Sequence, residues 1–280
     1  MSHWDRRRRR AEHLIVEQPH AEAQLRFYTA VLDAQQTIHD RLVAGRWRDR
    51  QPAATADRMP AASWVRSLPP EELETMFVEL LGRLATSGAA TNVVRAECLA
   101  ITTRDAAHRS ALLHAVAGRE VPGASLPPQP DSASTLLALA CLQPVAEAMV
   151  RDRSRRDEVR TPVCPACGWP PLAAAITDDG DTRGRRVLIC SLCASAWPFP
   201  RGVCPACGEA GSDRIDTHVA ESLPHIRIEA CATCRTYLKS IDLRTDGRAV
   251  VQSDDIASIE LDVWAAEQGL RKRQTNVLGM

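Results

Sequence analysis

Apolar residues recur at helical spacing through the first half of the chain, and the period then changes. Over residues 21–47, Leu25, Tyr28, Val31, Leu32, Ile38 and Leu42 share one side with no proline between them, which predicts an amphipathic helix. Pro69-Pro70-Glu71-Glu72 predicts the start of a second, since proline suits a first turn and carboxylates favour the positive end of the helix dipole. Leu73, Met76, Phe77, Leu80, Leu81 and Leu84 carry its apolar side towards Gly88. A third helix is predicted over residues 91–116. A fourth runs from Asp131 through Leu136, Leu137, Leu139, Leu142 and Val145 to about Val150, kinked at Pro144. Residues 51–60 and 121–130, rich in proline, alanine and polar side chains, read as loops.

Beyond the charged stretch 151–160 the pattern shortens to strands. Residues 172–177 and 186–189 predict a hairpin joined by the turn formers of 178–184, and 214–219, 225–229 and 237–242 predict three more strands. Asp254-Asp255 predicts the cap of a last helix reaching about Gly269, with Ile256, Ile259, Val263 and Trp264 on its buried side. The fold class expected is α+β. An N-terminal all-α domain, residues 1–158, precedes two tandem ribbons, residues 159–200 and 201–280, the second ending in a C-terminal helix.

The chemistry sits in the ribbons. Four Cys-x-x-Cys pairs, Cys164/Cys167, Cys190/Cys193, Cys204/Cys207 and Cys231/Cys234, lie within 71 residues and use eight of the ten cysteines. Two sulfurs on one tight turn grip one metal ion, and four thiolates complete a tetrahedral site, so eight make two sites. The loops between the first and second pairs and between the third and fourth hold 22 and 23 residues, enough for a hairpin, whereas ten separate the second from the third. These lengths favour pairing the first knuckle with the second and the third with the fourth over a crossed arrangement. Val-Cys-Pro-Ala-Cys-Gly occurs at 163–168 and again at 203–208, the mark of a duplicated ribbon. Glycine after the second cysteine suits a positive φ there; the other two knuckles carry alanine and arginine instead. Hairpins of this size bury little surface, and metal is expected to supply much of their stability, about 10–16 kcal/mol in isolated zinc-finger peptides.

Charge and composition narrow the function. With 35 basic and 35 acidic residues in 280, the net charge is zero, which gives no field for nucleic acid or an anionic membrane and favours a protein partner. No stretch of about 18 apolar residues predicts a membrane span. The run Arg6 to Arg10 resembles the start of an export signal, but Glu12, His13, Glu17, His20 and Glu22 interrupt the apolar segment such a signal needs, so the run reads as a solvated or partner-contacting tail. A reducing cytosol then favours metal over disulfides, with a redox-active dithiol as the alternative. Cys98 and Cys141 read as buried structural thiols, Trp169 and Trp197 as core residues of small ribbons, and His218 and His225 as strand or surface residues. No phosphate loop, nucleophile elbow or His-Glu-x-x-His motif is present, so no enzymatic activity is expected.

The segments Pro162-Val-Cys-Pro-Ala-Cys-Gly168, Leu188-Ile-Cys-Ser-Leu-Cys193, Val203-Cys-Pro-Ala-Cys-Gly208 and Glu229-Ala-Cys-Ala-Thr-Cys-Arg-Thr-Tyr-Leu-Lys239, followed by Asp254-Asp-Ile-Ala-Ser-Ile-Glu-Leu-Asp262, resemble the formate dehydrogenase accessory protein family, FdhE. The resemblance covers roughly residues 160–270. It implies a cytoplasmic, rubredoxin-like metal protein that contacts the catalytic subunit of a respiratory formate dehydrogenase before export. It also implies iron, with Cys164, Cys167, Cys190, Cys193, Cys204, Cys207, Cys231 and Cys234 as ligands of two ions. The donor set by itself suits zinc and iron alike. A zinc-ribbon nucleic-acid module and a rubredoxin-type electron carrier are the competing functions; the neutral charge counts against the first.

Overall fold

Helices come first and strands second, as the change of period predicts. The computed structural model describes residues 2–47, 65–118, 133–150, 160–180 and 182–280. The predicted loops at 51–60 and 121–130, the helix start at Asp131 and most of the charged stretch lie outside them. Among the described residues the first part contains α1 (His3–Glu17), α2 (Glu22–Ala44), α3 (Pro70–Thr86), α4 (Asn92–Thr102), α5 (Ala106–Ala117) and α6 (Ala133–Met149). Leu25, Tyr28, Val31, Leu32, Ile38 and Leu42 of α2 are buried, as their spacing requires, and α2 packs on α1, α3 and α6.

Two expectations change here. The Arg6–Arg10 run is not a tail. It lies in α1, capped by Ser2 and Asp5 in a reciprocal box, with Trp4, Arg7, Arg10, Ala11 and Leu14 facing inward. The helix predicted over 91–116 is two, because Asp105 caps α5 by accepting from the His108 N–H at 2.8 Å. A side-chain acceptor offered to the backbone starts a new helix where apolar spacing alone predicts one. In α6, Pro144 sits inside the helix and has no N–H to give the Ala140 carbonyl. Gln35 Nε2 of α2 donates to that carbonyl at 2.9 Å, so the freed acceptor is satisfied from a neighbouring helix.

The strands form one sheet. β1 (Pro171–Asp179), β2 (Thr182–Cys190) and β3 (Ala196–Pro198) belong to the first ribbon, and β4 (Ile215–Val219), β5 (Ile226–Cys231) and β6 (Thr236–Asp242) to the second. Their order is β3-β2-β1-β6-β5-β4, with the short β7 (Arg271–Lys272) also on β6. Pairing among β1–β3 and among β4–β6 is antiparallel, β7 lies parallel to β6, and β1 and β6 join the ribbons in parallel, Ala174 opposite Ser240. Period-2 alternation splits the sheet's faces: Ala174 and Leu238 join the large core shared with the helices, while Ala173, Ala175, Tyr237 and Ile241 join a smaller one on the other side. The observed architecture is α+β, as expected.

The last helix is also two, α7 (Val251–Ala257) and α8 (Ile259–Glu267). Ser258 breaks it, its hydroxyl donating to the Asp254 carbonyl at 2.8 Å. Val263 is 54 % exposed, and Leu261 and Ala265 face inward in its place. Asp254 and Asp255 lie inside α7 and are fully buried. Asp254 accepts from the Val250 N–H and from Arg10 of α1, at 2.7 Å and 2.6 Å. Asp255 faces Lys272 at 2.8 Å, and the wholly buried Lys239 spends its protons on the Asp255 and Ser258 carbonyls, the Ser258 hydroxyl and Asp262.

Candidate metal centres

Each ribbon brings its two knuckles to one end of its hairpin. The Sγ atoms of Cys164, Cys167, Cys190 and Cys193 all lie within 4.8 Å of one another, and so do those of Cys204, Cys207, Cys231 and Cys234. These are the quartets the loop lengths pair. Sulfurs at the corners of a tetrahedron with 2.3 Å bonds stand about 3.8 Å apart. Contacts of 3.6 Å (Cys164–Cys193) and 3.3 Å (Cys167–Cys190) in the first quartet, and 3.7 Å for both Cys204–Cys234 and Cys207–Cys231 in the second, fit that spacing.

The knuckle turn is a backbone device. Gly168 and Gly208 take φ of 84° and 80°, and their N–H groups donate to the Cys164 and Cys204 carbonyls. Ala194 and Arg235 hold the matching places in the other knuckles with φ of 54° and 58°, so these adopt the same left-handed step without glycine. A side chain in that region costs roughly 1 kcal/mol or more. Ala194→Gly is therefore expected to stabilise the metal-loaded protein by about 0.5–1 kcal/mol, read as a higher urea midpoint at unchanged slope.

The first quartet is sealed. All four cysteines are buried within the large core, between Trp169, Leu192 and Trp197. Trp197 Nε1 donates to the Thr161 carbonyl at 2.8 Å. Gln143 of α6 donates to the Ser191 carbonyl and accepts from Gln35, which ties the second knuckle to two helices. Backbone N–H groups of Ala166, Leu192 and Cys193 point at sulfur. Burial works against thiolate charge here. Hydrogen bonds from Cys167, Cys190 and Cys193 overcome it at Cys164, whose thiol is lowered, while burial pushes Cys167 and Cys190 well up. Four thiolates in this pocket therefore require a cation among them.

The second quartet is open on one side. Cys204 and Cys231 are buried, Cys234 is half-buried and Cys207 is exposed. Burial raises Cys204 and Cys207; at Cys234, hydrogen bonds from Thr236 outweigh burial and bring the thiol down to about 7. Arg273, 4 % exposed, lies against this centre, and its charge acts on Cys204 and Cys234. Nothing local in the sequence singles out Arg273, which follows the last helix and is held there by its N–H donating to the Tyr237 carbonyl.

The remaining candidates fall outside the quartets. Cys98 and Cys141 are fully buried in α4 and α6, and burial pushes their thiols up to about 11 and about 12. His225 bonds Asp254 at 2.9 Å, and His218 packs on the Trp264 ring. Trp169 and Trp197 are core residues. Among the described residues no helix is long and apolar enough to cross a membrane.

Comparison with known proteins places this geometry. The family model for the FdhE central domain matches residues 163–201, and that for the FdhE C-terminal domain matches residues 203–278. The crystal structure of the FdhE protein from Pseudomonas aeruginosa superposes with a TM-score of 0.68 at 26% identity, covering 98% of this chain and 95% of that one. Over residues 163–278 the chain is similar to the FdhE family, and its fold is similar to that of an FdhE protein. Two FdhE homologues, from Aquifex aeolicus and Pseudomonas aeruginosa, are 43% and 41% identical to it over 116 and 126 residues. Those stretches span 41% and 43% of this chain and only 41% and 40% of the homologues' own length. The likeness to FdhE sequences is thus concentrated in the ribbons, whereas the likeness of fold extends through the helices.

Proposed function

We propose that this chain is a cytoplasmic accessory factor for respiratory formate dehydrogenase, not itself an enzyme, and that it contacts the catalytic subunit during maturation. Two thiolate quartets on an FdhE fold are the observation that carries the reading. In it, Cys164, Cys167, Cys190 and Cys193 hold one metal ion and Cys204, Cys207, Cys231 and Cys234 another, iron in the working protein and zinc as the alternative. The metal supplies the charge that lets four thiolates share a small volume, and with it the rigidity of each knuckle. The chain's own residues do the rest. The knuckle N–H groups orient the sulfurs, Trp197 and Leu192 keep water from the first centre, and Arg273 offsets charge at the second. The chain divides into a helical unit at 1–158 and ribbons at 159–200 and 201–280.

Tagged protein recovered without oxygen from formate-respiring cells is expected to carry two metal ions per chain and to retain the formate dehydrogenase catalytic subunit. Deletion of its gene is expected to abolish formate-dependent dye reduction. Recovery without that subunit, together with undiminished dye reduction in the deletion strain, would remove the reading.

A further inference from the structure

The two quartets share a sequence motif but not an environment. Every ligand of the first is buried, and so are Pro165, Ala166, Gly168, Ser191 and Leu192 around them. In the second, Cys207 is exposed together with Gly208, Thr233 and Arg235, and Cys234 is half-buried. The first centre belongs to the core that the helices complete; neither Cys204 nor Cys231 belongs to either apolar core. A ligand substitution at tetrahedral metal needs an approach path for the incoming donor and a ligand free to swing away. Cys207 provides both, because its knuckle faces solvent.

We infer that the second centre is an exchange site, where metal is gained or surrendered through the Cys207 edge to an incoming soft donor, while the first is a permanent structural centre. In the step, an incoming thiolate or chelating nitrogen forms a bond to the metal as the bond to Cys207 Sγ breaks. Cys207 leaves as a thiolate and takes a proton from water, and the metal keeps its oxidation state. Arg273 stays beside Cys204 and Cys234 and holds charge at the emptying site. The same step at the first centre first requires helices and ribbon to part locally, and such openings are rare in a well-packed core. This inference rests on both quartets holding metal.

The full chain loaded with two zinc ions and mixed with excess 4-(2-pyridylazo)resorcinol tests it. One equivalent is expected to leave at least about 100-fold faster than the other, the difference reflecting local opening at the first site. Brief N-ethylmaleimide treatment at the end of the fast phase, followed by peptide mapping, is expected to label Cys207 and Cys234 and spare Cys164, Cys167, Cys190 and Cys193. Cys207→Ser is expected to lose the fast equivalent and keep the slow one. Equal release rates, or early labelling at the first quartet, overturn the exchange site alone. A chain that takes up no zinc overturns the metal reading with it.

Discussion

Replacing Cys190 with serine is expected to cost far more than a ligand. The first quartet lies inside the large core, and the knuckle that carries Cys190 is hydrogen-bonded to α6 through Gln143. A structural tetrathiolate contributes about 10–16 kcal/mol in small zinc domains, against a total stability of about 5–15 kcal/mol for an ordinary folded protein. Losing a third of that contribution, about 3–5 kcal/mol, removes a large share of such a margin. Cys190→Ser is expected to retain one metal ion instead of two, to lose near-ultraviolet dichroism and to be digested rapidly within its helices. Cys207→Ser, at the open centre, is expected to lose one ion while its cooperative unfolding survives. Retention of two ions by Cys190→Ser, with an unchanged urea midpoint, would show that the first quartet does not depend on metal.

Arg10→Met is the second large effect. The Arg10 guanidinium grips Asp254 with Nε and Nη2 and reaches Asp246 at 2.8 Å, while Asp254 is wholly buried. Removing one partner of such a pair leaves a buried charge uncompensated, at about 3–5 kcal/mol. Urea unfolding of metal-loaded Arg10→Met is expected to show that loss, while Arg9→Ala, one residue away and exposed, is expected to change stability by less than about 0.5 kcal/mol. Acid has a related effect. Burial tends to raise the Asp254 carboxyl, but hydrogen bonds from His225 and Arg10 outweigh it and hold it below its ordinary value of 3.8. Its contribution is therefore complete above that value and disappears as pH falls through the depressed folded one. Arg10→Met is expected to have a smaller acid-dependent loss than the wild type. Equal midpoints for the two Arg variants would exclude the pair as a clasp.

What the sequence reveals depends on how far each interaction reaches. The knuckles are legible because their chemistry is local: two cysteines, a turn and a hairpin length predict both quartets, and glycine at 168 and 208 predicts the positive φ found there. The strands are legible for the same reason. The arginine run is misread because the partners that bury Arg7 and Arg10 lie 140 and 244 residues away. A trace was present all the same: Trp4, Arg7, Ala11 and Leu14 fall on one helical side, and Arg6 and Arg9 on the other. Asp254-Asp255 resembles a helix cap, and Asp254 does bond a backbone N–H, but its main partners come from α1 and from the turn before β5, which no window around residue 254 includes. Parallel pairing of β1 with β6, which turns two ribbons into one sheet, likewise leaves no local mark.

The clasp between α1 and α7 also sets an order of events during synthesis. Arg10 emerges early and waits 244 residues for Asp254. At about 5–20 residues per second, that wait is on the order of 10–50 s. Through it, the first helix has α2 beside it but lacks α7, and Arg7 lacks Glu147 until α6 has appeared. The ribbons must therefore be made before the helical part can close. A nascent chain stalled before residue 254 would present an unclasped first helix, a natural handle for a chaperone and a point at which metal supply to the knuckles decides whether the fold is finished.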